Sequence, residues 1–135
     1  MEFSETIQKR QSIKSYQADK TISDTDLDEL MQEVVLSPSS FNLQHWKFVA
    51  VKSNDLKKSI REAAWGQEHV ESCSFLIAVC GKLNAFEDAP VIYQDVDPEI
   101  QKKVLPMIKG FYEDHTQLQR DEAIRSASLA AMTFM

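Results

Sequence analysis

The chain has 135 residues, 43% hydrophobic and 27% charged, with a formal net charge of −6. That length sets a single domain over residues 1–135 as the expectation, with enough chain for an ordinary buried core. The acidic balance argues against a surface that tracks nucleic-acid phosphates. No apolar run approaches the roughly 20 residues that span a bilayer, and no apolar signal core stands at the N-terminus, so a cytoplasmic protein is expected.

Residues 3–10 read as a short helix that delivers Arg10 to its end. Arg10-Gln11-Ser12-Ile13-Lys14 follows, with two cations flanking a hydroxyl. In an extended segment i, i+2 and i+4 share a face, so Arg10, Ser12 and Lys14 project together. Arginine offers a planar fork suited to phosphate, and lysine a compact point charge. The plain alternative is a charged, solvated segment. Ser23 then starts a clearer helix, with Asp26 three residues on in a near capping box. Leu27, Leu30, Met31, Val34 and Val35 recur at the spacing of a buried face, and Pro38 is expected to end it.

Ser37-Pro38-Ser39-Ser40-Phe41-Asn42-Leu43-Gln44-His45-Trp46 is a polar turn between that helix and an extended apolar run. Pro38 fixes one φ, and the serines and Asn42 favour turn geometry. Amides and hydroxyls held between a helix and a strand suit a polar planar ligand; a turn that merely ends the helix is the alternative. His45 and Trp46 read as packing residues.

Lys47–Val51 is a predicted strand. Ser53 caps the next helix, whose inner face is expected to be Leu56, Ile60, Ala63 and Ala64. Trp65-Gly66-Gln67 forms a break, and residues 68–72 a short helical turn. The continuous apolar stretch from Ser74 to Cys80 reads as a central strand buried on both faces. Cys73 and Cys80 flank it too far apart to bridge, so reduced, largely buried thiols are expected. No histidine has metal-ligand spacing, and no metal site is assigned.

Residues 83–96 suggest a loose helix or loop. Asp97-Pro98 is an N-cap followed by proline at the first helical position. Ile100, Val104, Leu105 and Ile108 continue that helix, with Pro106 expected to kink or end it and Gly110 a plausible stop. In the last segment Ile124, Ala127, Ser128, Ala131, Met132 and Met135 recur at helical spacing. Trp65 and Met31, Met107, Met132 and Met135 are assigned to the core by default.

The order and spacing of Arg10-x-Ser12-x-Lys14 and Pro38-Ser39-x-x-Asn42-x-Gln44-x-Trp46 resemble the flavin-dependent nitroreductase family. His45 departs from it, since many members carry proline there. The resemblance is strong over residues 2–82, weak over 83–117, and returns at Arg120–Met132, which looks like the start of the family's long central helix. It implies an α+β fold: a mostly antiparallel sheet wrapped by helices, dimeric through long helices. It also implies FMN at the dimer interface, NADH or NADPH as reductant, and a small-molecule electron acceptor such as a nitroaromatic or quinone.

By similarity, Arg10 pairs with the phosphate and Ser12 with the phosphate or ribityl end, Gln11 offers a backbone contact, and Lys14 reaches the pyrimidine edge of the ring. Pro38, Ser39, Ser40, Asn42 and Gln44 come from the partner subunit and cover the cofactor, and Gln67 contacts the ring edge. No side chain need act as nucleophile or general acid, so no catalytic residue is assigned. Residues 83–117 are expected to form a lid over the substrate face.

The apolar stripe that runs to Met135 without a cap suggests a chain shortened relative to its family. That leaves open an alternative: a non-catalytic member acting as a dimerising α+β domain. A serine hydrolase is set aside for want of a Gly-x-Ser-x-Gly elbow.

Overall fold

The computed structural model describes residues 2–17 and 20–135. These fall into two compact units. One is built from the N-terminal residues up to Asp28 with Ala50–Ala78, the other from Glu29–Val49 and Val79–Phe134.

In the first unit, α1 (Phe3–Lys9) ends at Arg10, whose backbone is already extended. Helix α2 (Asp24–Val34), of which only residues up to Asp28 belong to this unit, starts on the anticipated box. The Asp26 N–H donates to Ser23 Oγ (3.1 Å), and the Ser23 N–H donates to Asp26 Oδ2 (3.0 Å). The helix stops at Val34, four residues ahead of Pro38, and leaves Val35 exposed. Its end is a tightened turn, in which the Ser37 N–H and hydroxyl both bond the Val34 carbonyl. A local side-chain bond to the last turn thus ends the helix before the proline does.

Helix α3 (Asn54–Ala63) is capped by Ser53 as expected. Its inner face differs from the expected one: Leu56 is exposed, and Lys57 is 5% exposed. The reason is polar. Lys57 Nζ donates to the Cys73 carbonyl (2.6 Å), and Arg61 Nη1 meets Glu71 Oε2 at 2.9 Å, fixing α4 (Glu68–Ser72) against that side of α3. Between them Trp65 and Gly66 take positive φ, 55° and 74°. This turn leaves Trp65 93% exposed, so it is not a core residue.

Strands β1 (Trp46–Val51) and β2 (Leu76–Gly81) form a two-stranded sheet. The Lys82 N–H donates to the His45 carbonyl (3.0 Å), bringing the end of β2 to the start of β1, so the pair is antiparallel. With one neighbour, β2 is partly exposed rather than buried on both faces. Cys73 is half-buried and Cys80 exposed, so the thiols are not largely buried.

In the second unit one cluster joins Val34, Trp46 and Ala130, with Met31 and Phe48 packed against it. A larger one centres on Leu43, Ala85, Ala89, Ile108 and Tyr112. It is supplied by a 3₁₀ turn (Ala85–Asp88), α5 (Ala89–Ile92) and α6 (Pro98–Tyr112). Asp97 caps α6 as expected, its carboxylate accepting from the Glu99 N–H at 2.7 Å. The helix passes through Pro106 and Gly110, however. Pro106 lies on the exposed side, where water can serve a carbonyl that loses its helical donor. Ile108 and Tyr112, both fully buried, hold the following turns in place.

Helix α7 (Thr116–Phe134) buries Ala123, Ser126, Ala127 and Ala130. Of the expected stripe, Ile124 and Met132 are about half exposed. Gly81 explains the rotation: a Cβ there would lie 3.2 Å from Ala123 Cβ, so the small residues turn toward the end of β2. Met107 and Met135 are also exposed; of the methionines assigned to the core only Met31 packs into it. Among the described residues no helix is long and apolar enough to cross a membrane.

Candidate functional site

The N-terminal segment presents Arg10, Gln11, Ser12, Ile13 and Lys14 as exposed, irregular backbone. The side chains of Arg10, Gln11, Ser12 and Lys14 make no hydrogen bond or ion pair with any described residue. Most other cations are engaged: Lys52 with Asp24, Arg61 with Glu68 and Glu71, Lys82 with Asp88, Arg125 with Glu122. Arg10 and Lys14 are thus two exposed cations, four residues apart, with no carboxylate partner among the described residues.

Gln67 belongs to the same unit, half-buried at the N-cap of α4, and its side-chain amide has no partner among the described residues. Among the described residues no hydrogen bond or ion pair joins it to residues 10–14. Beside it stands the exposed indole of Trp65. Neither periodicity nor composition distinguishes that tryptophan from a core one; the Gly66 turn is the only signal.

Pro38, Ser39, Ser40, Asn42 and Gln44 lie together in the second unit, around a 3₁₀ turn (Ser40–Asn42). Three of its residues adopt left-handed backbone without being glycine: Phe41 (φ 50°), Asn42 (φ 53°) and Gln44 (φ 51°). Each such residue costs on the order of 1 kcal/mol and persists only where its surroundings over-determine it. Here they do. The Gln44 N–H donates to Ser39 Oγ (2.9 Å), the Tyr93 hydroxyl to the Phe41 carbonyl (2.9 Å), and the Tyr112 hydroxyl to Ser40 Oγ (2.7 Å). Leu43 is buried, and the Phe41 ring packs edge-on against Phe111 and Tyr112. The side-chain amides of Asn42 and Gln44 stay unpartnered among the described residues and exposed to solvent. A cleft of about 300 Å³ opens at Gln44, bounded also by Trp46, Lys82 and Ile92.

Sequence reasoning missed Tyr93 and Tyr112 as supports of this turn. Both lie within residues 83–117, so part of that segment braces the turn. The same segment lines a groove of about 810 Å³ between Phe86, Pro90, Leu105 and Gln119 that includes none of the expected site residues.

Behind the turn, His45 is fully buried. Its Nδ1 lies 3.5 Å from Ser126 Oγ, its ring lies 5.5 Å from that of Tyr112, and its Nε2 has no partner among the described residues. Burial holds its pKa below the ordinary 6.5, against the pull of Glu122. A base whose folded pKa is depressed binds fewer protons folded than unfolded. Stability is therefore complete above the ordinary value and declines as pH falls below it. The melting temperature should fall between about pH 7 and pH 5, and His45→Asn should flatten that slope. Asp26, whose carboxyl is held low by Ser23, acts only below its ordinary 3.8, outside this window. An unchanged slope in the variant would remove His45 from the account.

Comparison with known proteins gives the geometry its context. Residues 7–135 match the model of the nitroreductase family. MhqN of Bacillus subtilis (strain 168), which carries an NAD(P)H nitroreductase name, is 38% identical over 99% of this chain and 68% of its own length. The crystal structure of the Bacillus subtilis protein ydfN superposes with a TM-score of 0.93 at 36% identity, covering 98% of this chain and 68% of that one. A protein of Exiguobacterium sibiricum 255-15, solved in complex with FMN, superposes with a TM-score of 0.90 at 29% identity, covering all of this chain and 68% of that one. The chain thus spans about two thirds of the length of these relatives. Its fold is that of the nitroreductases, and the chain belongs to the nitroreductase family.

Proposed function

We propose that this chain is an FMN-dependent oxidoreductase that uses NADH or NADPH to reduce electron-poor small molecules such as nitroaromatics or quinones. The observation that carries the reading is the exposed pair Arg10 and Lys14 with Ser12 between them, unneutralised by any described residue. Unpaired donors are what a phosphorylated, polar ring system requires. The residues fit the cofactor in chemistry: two cations, serine hydroxyls with uncommitted protons, and side-chain amides unpartnered among the described residues, with no carboxylate among them.

Arg10 binds the phosphate, with Ser12 and the Gln11 backbone beside it. Lys14 stands at the pyrimidine edge of the ring, where a cation favours the negative charge that reduction brings. Asn42, Gln44, Ser39 and Ser40, on the turn that starts at Pro38, belong to the partner subunit's half of the site in a homodimer, and Gln67 contacts the ring edge. Bound there, FMN would supply the redox chemistry, hydride transfer between NAD(P)H and the acceptor in ping-pong order. The exposed α7 stripe of Ile124, Ser128 and Met132 suits close approach of a second copy. A cytoplasmic setting suits Cys73 and Cys80 as thiols outside a disulfide.

Adding FMN to the purified protein and desalting tests the reading. A retained flavin absorption band supports it. A colourless protein rejects it in favour of a non-catalytic dimerising module.

A further inference from the structure

We infer that Tyr93 and Tyr112 are positioning residues that set the hydrogen-bond polarity and shape of the Pro38–Gln44 turn toward its ligand. The inference rests on the flavin reading above and goes past it to residues outside both sequence motifs.

The Tyr112 hydroxyl donates to Ser40 Oγ at 2.7 Å. A phenol is a better donor than an aliphatic hydroxyl, and burial raises the Tyr112 pKa against the lowering pull of the Ser40 hydrogen bond. With that lone pair engaged, the Ser40 proton is left to point elsewhere. Ser39 is treated alike, since its Oγ accepts the Gln44 N–H at 2.9 Å. Neither serine proton has an acceptor among the described residues. The turn therefore keeps two serine O–H donors uncommitted among the described residues, each strengthened by the bond its oxygen accepts. Such a surface takes ligand acceptors: phosphate oxygens or ring carbonyls.

Tyr93 supplies the shape. Its hydroxyl donates to the Phe41 carbonyl at 2.9 Å, between the two left-handed residues Phe41 and Asn42. Tyr93 follows α5 and Tyr112 ends α6, so two separate elements hold one strained loop at successive residues. Without these bonds the loop can relax to ordinary backbone and lose the presentation of Ser40 and Asn42.

Tyr93→Phe and Tyr112→Phe keep the rings and remove only the hydroxyls. Two readouts separate the possibilities: amide hydrogen exchange at Asn42, Leu43 and Gln44, and FMN affinity from the quenching of its fluorescence. Each variant should exchange roughly fivefold to tenfold faster in the turn, with α3 unchanged, and bind FMN weaker by a similar factor. Because Tyr112 acts through Ser40, Tyr112→Phe with Ser40→Ala should bind FMN no more weakly than Ser40→Ala alone. Unchanged exchange in both variants, exchange accelerated equally throughout the fold, or additive losses in the double variant would overturn the inference. If the parent takes up no FMN, the flavin reading fails and the exchange data alone decide whether the tyrosines hold the turn.

Discussion

Replacing Arg10 by alanine is expected to weaken FMN binding by roughly 10- to 100-fold, the range of one lost charge-assisted contact. The side chain is exposed and has no partner among the described residues, so its removal leaves the interactions seen among them intact. Stability should stay within about 0.5 kcal/mol of the parent, as for surface positions generally. Arg10→Lys should recover only part of the affinity, because an ammonium cannot match the planar fork. Lys14→Ala should weaken binding to a similar degree and also lower the flavin's reduction potential, since a cation at the pyrimidine edge favours the reduced form. Affinity in the parent should fall as ionic strength rises. Fluorescence titration and a potential measured against a reference dye check all of this. If both alanine variants hold FMN as the parent does, residues 10–14 are not the phosphate and ring-edge site.

Tyr112→Ala should cost about 3–5 kcal/mol of stability, a large part of what a small fold has. Tyr112 is fully buried, and its ring lies 5.1 Å from that of Phe111, 5.9 Å from Phe86, 5.5 Å from His45 and 6.2 Å from Phe41. Alanine leaves a cavity among these rings and frees Ser40. Trp65→Ala is the contrast: that larger side chain is 93% exposed and should cost less than about 0.5 kcal/mol. Urea unfolding of the two variants gives the comparison. Equal midpoints would mean that the core is not centred on Tyr112.

Which features were legible in the sequence follows from the range of the forces involved. The Ser23–Asp26 box, the Ser53 and Asp97 caps and the Gly66 break are set within a few residues, and each stands where the spacing places it. The family motifs were legible because they combine short-range turn chemistry with exposed side chains, Arg10, Ser12, Lys14, Asn42 and Gln44, that have no partner among the described residues. Helix faces were less legible. Lys57 is buried because the Cys73 carbonyl, sixteen residues on, accepts its proton. Helix α7 turns Ala123 inward because Gly81 lets it approach. In each case a distant partner overrides the hydrophobic period. The same holds at the candidate site. Ser39, Ser40, Asn42 and Gln44 could be named from local sequence, whereas Tyr93 and Tyr112 act across 52 and 72 residues of chain.

The most direct measurement of the central claim is anaerobic spectroscopy of the FMN-loaded protein. Adding NADH or NADPH should bleach the flavin absorption band, and adding a nitroaromatic or quinone afterwards should restore it without further nicotinamide. A protein that holds FMN yet is bleached by neither nicotinamide would contradict the proposed oxidoreductase function.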